Sequence, residues 1–142
     1  MNLQERRDLA VQYAMTLLGL PYHWGGDDPI LGFDCSGGVI EVLTGVGLFL
    51  HGDDMKAIGL KYKYPSVATA APGVLSFYGP GEWEIAHVGM CINNEIMFEF
   101  GGGRSSTRDE DDAARANAFG RLRPIHYRDD LVGFCDPFAE SA

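Results

Sequence analysis

The sequence predicts an α+β domain, helices first and an antiparallel sheet after them. Three observations carry this. Apolar residues recur at helical spacing up to residue 18 and again from 39 to 46. From residue 73 the period shortens, and the β-rich runs GVLSFYG, AHVGMCI, EIMFEF, FGRLRPIHY and DLVGFC are separated by Gly, Pro and Asn. Helical runs followed by strand runs, without alternation of the two, indicate an antiparallel sheet of about five strands. The 142 residues suit one domain, 1–142, large enough to bury a core without staples. Neither a repeat nor a low-complexity segment divides it.

Each element has a local reason. Asn2 and Glu5 resemble a capping box, Ala10, Tyr13, Ala14, Leu17 and Leu18 form an apolar face, and Gly19-Leu20-Pro21 stops the helix, giving a span of 3–18. A polar, glycine-rich approach then ends in Asp34-Cys35-Ser36. Val39, Ile40, Val42, Leu43 and Val46 follow as a helix apolar on most sides, ending near Gly45 and Gly47. Gly37 and Gly38 lie in its first turn, where each costs roughly 1 kcal/mol relative to alanine. Glycine is tolerated there if a ligand or another backbone comes close, which predicts room beside the cysteine. DDMKAIGLKYK (53–63) reads as a short helix, SVATAAPG as a turn-rich connector, and TRDEDDAARANA as a helix with acids in its first turns.

Composition removes several function classes. A net charge of -9 opposes non-specific binding to nucleic acid or anionic lipid. The positive charge is uneven: Arg104, Arg108, Arg115, Arg121, Arg123 and Arg128 lie in the last third, placed to line one side of a groove. Cys35, Cys91 and Cys135 cannot form a complete disulfide set and lack zinc-ligand spacing, so no metal or cofactor is expected. Gly101-Gly102-Gly103-Arg104 lacks the Lys-Ser/Thr of a phosphate loop, and Asp109-Glu110-Asp111-Asp112 lacks the alternation of a calcium loop. No run approaches 18 apolar residues, so no membrane insertion is expected, and the N-terminus lacks the apolar core of a signal peptide. The expectation is synthesis as a soluble cytoplasmic chain.

The chemistry centres on Cys35. A sulfur at a helix N-terminus faces unpaired backbone N–H groups and the positive end of the macrodipole, which favour the thiolate. A thiolate nucleophile needs a base and an oxyanion site. Of four histidines, His87 begins the apolar strand HVGMCI, where an imidazole has little packing reason to be. His23, His51 and His126 occupy loops or a strand end, and spacing alone decides among none of them. The base needs an orienter on its other nitrogen. HVGMCINNEIMFEF reads as a hairpin turning at Asn93-Asn94, and its parity matters. A three-residue loop, 93–95, pairs 92 with 96 and places Glu99 diagonal to His87 on one face, with Phe98 and Phe100 on the other. A two-residue loop would put Glu99 on the opposite face. A carboxylate beside the ring would stabilise an imidazolium.

YHWGG, GFDCSGG, PGVLSFY and AHVGMCINNEIMFE together resemble the NlpC-type family of papain-like cysteine peptidases that cut cell-wall peptides. The resemblance runs from Tyr22 to about Gly101. It implies a papain-like fold with the nucleophile at a helix start packed on the sheet, Cys35 as nucleophile, His87 as base and Glu99 as orienter. It also implies that Tyr22 and the Cys35 backbone N–H bind the oxyanion. Trp24, Asp34 and Ser36 are further candidates for contacts with substrate, Trp24 or Trp83 as groove walls or core, and Asp27-Asp28 as a site for a substrate amine.

Three positions depart from the family pattern: Glu99 stands where histidine is common, Val74 where an aspartate follows the glycine of PGDL, and Gly38 where a large apolar residue follows CSG. The implied activity is an endopeptidase or amidase on peptidoglycan stem peptides, near D-glutamyl and diaminopimelic acid. The C-terminal part resembles short stand-alone bacteriophage members. That implies phage tail or lysis proteins as partners, and a protein carried in the virion or released to the wall during lysis. An inactive tail or assembly module, and a cysteine acyltransferase or deamidase, are the alternatives.

Overall fold

The computed structural model describes residues 1–21, 27–28, 32–49, 55–100 and 119–139. Helix α1, Leu3–Thr16, starts where the Asn2 side chain accepts from the Glu5 N–H at 2.8 Å, and Gly19 takes a positive φ of 85° just past its end. Its buried seam is Ala10, Ala14 and Leu17. Small residues bring the helix close to α2, Cys35–Gly45. Leu18, expected on the same face, is instead exposed, because the helix ends at Thr16 and the chain has already turned. In α2 the residues Gly37, Gly38, Val39, Ile40, Val42 and Leu43 are all buried, as a run apolar on most sides requires. Helix α3 is Ala57–Lys63, with Ala57 and Leu60 buried. The first residues of the expected 53–63 helix, and the helix expected over TRDEDDAARANA, lie outside the described residues.

The five expected strands form, and a sixth joins them. In chain order they are β3 (Ser66–Val67), β4 (Leu75–Tyr78), β5 (His87–Cys91), β6 (Ile96–Phe100), β7 (Gly120–Pro124) and β8 (Leu131–Cys135). The sheet order is β3-β8-β4-β5-β6-β7, and every pairing is antiparallel. Strand β3 comes from the stretch read as a connector; two residues are too few to show alternation, and only pairing with β8 makes them a strand. A separate ribbon, β1 (Asp27–Asp28) with β2 (Gly32–Phe33), forms within the approach that reads as loop.

Both faces of the central strands are buried, and β4 and β5 are buried at every position. On one face Leu75, Phe77, Val88, Met90, Phe98 and Phe100 pack with α1 and α2. On the other, Tyr78, Cys91 and Met97 pack with Val74 and Ile125. At about 1.5–3 kcal/mol per large apolar side chain buried, this double layer is the main source of stability. In such a sheet a buried polar residue is the informative one. Among the described residues these are Ser76, His87, Glu99 and Asp136. Asp136 is accounted for by Arg7, which donates to both its oxygens at 3.1 and 2.9 Å. Ser76 contacts the Gly89 carbonyl and the Met97 sulfur. His87 and Glu99 remain.

Candidate active site

Cys35 is the first residue of α2. The Asp34 carboxylate caps this end, accepting from the Gly37 N–H at 2.6 Å and from the Ser36 hydroxyl at 3.5 Å. Asp34 and Ser36, candidates for substrate contact in the sequence, are thus engaged in holding the helix start that carries the sulfur. Gly37 and Gly38 are buried in this turn. Cys35 is only partly buried, whereas Cys91 and Cys135 are fully enclosed. Burial pushes both of those thiols up to about 12, so they stay protonated and inert.

The hairpin register brings the second and third residues together. Met90 pairs with Phe98 and Cys91 with Met97, and the Ile92 N–H reaches the Ile96 carbonyl at 2.9 Å. That is the three-residue loop, held by the Asn93 side chain accepting from the N–H groups of Glu95 and Ile96. Glu99 therefore shares a face with His87, and its Oε2 lies 2.8 Å from His87 Nε2. Both side chains are enclosed. That contact leaves Nδ1, and Cys35 is close enough to the same ring to help raise its pKa. Gly89 makes room for this arrangement: a Cβ there would meet the Met97 sulfur at 2.5 Å and the Glu99 Cβ at 3.4 Å.

Opposed influences act on the imidazole. Burial is the largest and lowers its pKa, but hydrogen bonds to Cys35 and Glu99 and the charges of both together raise it to about 9. The protonated ring is the favoured form, flanked by two groups that carry negative charge when ionised. Of the alternative bases, His126 is exposed in the turn after β7, and His23 and His51 lie outside the described residues, as do Tyr22 and Trp24. Asp27 and Asp28 form β1. Trp83 is 77% exposed and stacks on Tyr62 with ring centroids 5.1 Å apart, so it is not a core residue. Val74, at the position of the family's aspartate, is packed in the second apolar layer.

Two neighbours were not foreseen. Arg123 Nε lies 3.0 Å from the other Glu99 oxygen, Oε1. The carboxylate thus sits between an imidazole and a guanidinium, in contacts that are close without linear hydrogen-bond geometry. Tyr78 is paired with His87 across β4 and β5, its ring centroid 5.7 Å from the imidazole, and its hydroxyl donates to the Ile125 carbonyl at 2.7 Å. Arg121 and Arg123 alternate with Leu122 as one face of a strand should, but nothing local says that this strand pairs with β6. Arg104, Arg108 and Arg115, half of the expected basic groove side, lie outside the described residues. Arg128 is paired with Asp130 at 2.7 Å.

Comparison with known proteins places this geometry. The profile of the NlpC/P60 family matches residues 19–118, from the end of α1 to just before β7. The chain belongs to the NlpC/P60 family. Its curated NlpC/P60 relatives include the bifunctional muramidase/DL-endopeptidase CwlT of Bacillus subtilis, 32% identical over 130 residues, covering 89% of this chain and 35% of that protein. Another is the peptidoglycan endopeptidase RipB of Mycobacterium tuberculosis, 31% identical over 116 residues, covering 71% of this chain and 46% of RipB. The chain therefore spans about a third to a half of these relatives. Among solved structures, RipB superposes with a TM-score of 0.72 at 24% identity, covering 99% of this chain and 68% of that one. The NlpC/p60 domain of the peptidoglycan hydrolase SagA gives 0.68 at 21% identity, covering 92% and 97%. These likenesses establish the papain-like NlpC/P60 fold, with the cysteine-bearing helix start packed on the sheet.

Proposed function

We propose that the chain is a cysteine peptidase that hydrolyses amide bonds in peptidoglycan stem peptides, with Cys35, His87 and Glu99 as its triad. The observation that carries this is the buried His87–Glu99 pair, 2.8 Å apart, with Cys35 at a helix start close enough to act on the same ring. Two charged-capable residues are enclosed in a sheet that is otherwise apolar, and packing alone gives no reason for them.

The Cys35 thiolate attacks the amide carbonyl, and the carbonyl π electrons move to oxygen. Collapse of that oxyanion expels the amine, which takes its proton from the His87 imidazolium and leaves a thioester on Cys35. Neutral His87 then removes a proton from water as water attacks the thioester, and acid and thiolate–imidazolium are restored. Glu99 holds the ring and stabilises its charged form. The Cys35 N–H, with Tyr22 if the family pattern transfers, serves the oxyanion. A D-glutamyl–diaminopimelate bond is the favoured substrate, supported by the DL-endopeptidase named among the relatives. A net charge of -9 gives no long-range attraction to an anionic wall, so binding depends on local contacts. Delivery by a virion or during lysis, with tail or lysis proteins as partners, is part of the proposal.

The test is to incubate the protein and Cys35→Ala with peptidoglycan and follow new amines by mass spectrometry. New amino termini from the wild type alone are expected. Equal products, or none from either protein, would overturn the peptidase reading and leave the assembly-module alternative. Transferred acyl groups would point instead to an acyltransferase.

A further inference from the structure

Glu99 poses a problem that the triad does not solve. Its side chain is fully enclosed, and an isolated carboxylate in such a place takes up a proton or is expelled. His87 Nε2 lies 2.8 Å from Oε2. The strand pairing supplies the rest: β7 runs beside β6 with Glu99 opposite Arg121 and Met97 opposite Arg123. Arg123 therefore lies diagonal to Glu99 on the same face, within reach of Oε1.

We infer that Arg123 is a positioning residue for the catalytic pair: its guanidinium, 3.0 Å from Glu99 Oε1, holds the carboxylate turned toward His87. The inference rests on the peptidase reading and deepens it. Arg123 is held from its other side by Tyr127, whose ring centroid lies 4.5 Å from the guanidinium carbon. The chemistry favours arginine, because a planar fork can keep one edge on a carboxylate while its face rests on a ring.

The carboxylate lies between the imidazole and the guanidinium at one site, and only a carboxylate turned to the ring supports the charge of the imidazolium. Other titratable or charged groups facing the site are Tyr78 from β4, Arg121 from β7, and Tyr127, Arg128 and Asp130 from the segment between β7 and β8. Arg128 and Asp130 neutralise each other. Without Arg123 the hold on Oε1 is lost, the carboxylate can turn from the ring, and the His87 imidazolium, less well supported, should titrate at lower pH. Arg123 is about a third exposed and acts on the imidazole through Glu99, so a fall of about half to one pH unit is expected at His87.

The experiment measures the pH dependence of Cys35 alkylation and of the His87 imidazole NMR signal. The proteins are the wild type, Arg123→Gln, Arg123→Lys, Glu99→Gln and the double variant Glu99→Gln/Arg123→Gln. Arg123→Gln should move the His87 midpoint down, Arg123→Lys should restore most of the shift, and in the Glu99→Gln background the same substitution should do much less. If Arg123→Gln folds poorly, Arg123→Met makes the same charge change on a similar stem and the same shift is expected. An unshifted His87 midpoint in the folded variants would overturn the inference. So would an equal shift with and without Glu99, since Arg123 would then act as a distant charge. A wild-type thiol that titrates near 8.5 with no coupling to His87 would instead overturn the peptidase reading itself.

Discussion

Glu99→Gln tests the centre of the site, because it removes a charge while keeping shape and one acceptor. In the wild type, burial lowers the His87 pKa, and Cys35 and Glu99 together raise it to about 9. Without the carboxylate, burial is opposed by Cys35 alone. The imidazolium should then titrate about 1–2 units lower. The alkaline limb of kcat/KM on peptidoglycan fragments should fall by the same amount, since it reports loss of the acid that protonates the leaving amine. Stability follows with a definite sign. The folded value of His87 lies above the unfolded 6.5, so its contribution is complete below about pH 6.5 and lost as pH rises through about 9. That rise corresponds to roughly 3 kcal/mol, shared between Cys35, the larger contributor, and Glu99. The variant should therefore be less stable by about 1–3 kcal/mol in urea at pH 6, with the His87-dependent part of the gap closing by pH 10. The buried thiols Cys91 and Cys135 also lose stability above pH 9, but equally in both proteins. An unmoved alkaline limb together with a pH-independent stability gap would refute the reasoning.

Two further substitutions probe the supports. Asp34→Ala deletes the carboxylate that caps α2 through the Gly37 N–H; a loss of about 1 kcal/mol in thermal or urea unfolding is expected, with slower Cys35 alkylation at pH 7 as the helix start loosens. Unchanged stability and reactivity would count against Asp34 as the holder of the sulfur. Gly89→Ala forces a Cβ to within 2.5 Å of the Met97 sulfur, between the strands that carry His87 and Glu99. It should cost about 1–3 kcal/mol and lower kcat more than it changes KM, and a variant as stable and active as wild type would show that Met97 moves freely.

The parts of the site that could be read from sequence are those fixed by neighbours in the chain. Asp34-Cys35 at a helix start follows from a capping residue before an apolar run, and the helix begins at Cys35. Glu99 beside His87 follows from the parity of one hairpin, and Asn93 sets that parity through its own side chain. Arg123 could not be found this way. Residues 101–118 intervene between β6 and β7, and no local pattern states which strand Arg123 will face or in what register. Strand β3 was read as a connector for the same reason: Ser66 and Val67 are a strand only because β8 lies beside them.

The sequence by itself determined the order of the main elements, the position of Cys35 at a helix start and the hairpin that pairs His87 with Glu99. Each depends on capping, periodicity or a short turn, forces that act over a few residues. The tertiary structure decided the sheet order, in which β8 crosses back to lie beside β4, and the burial of both faces around β4 and β5. It also decided the counter-charge for Glu99. Those depend on which distant surfaces meet, and the cost of closing a long loop is nearly the same whichever strands it joins.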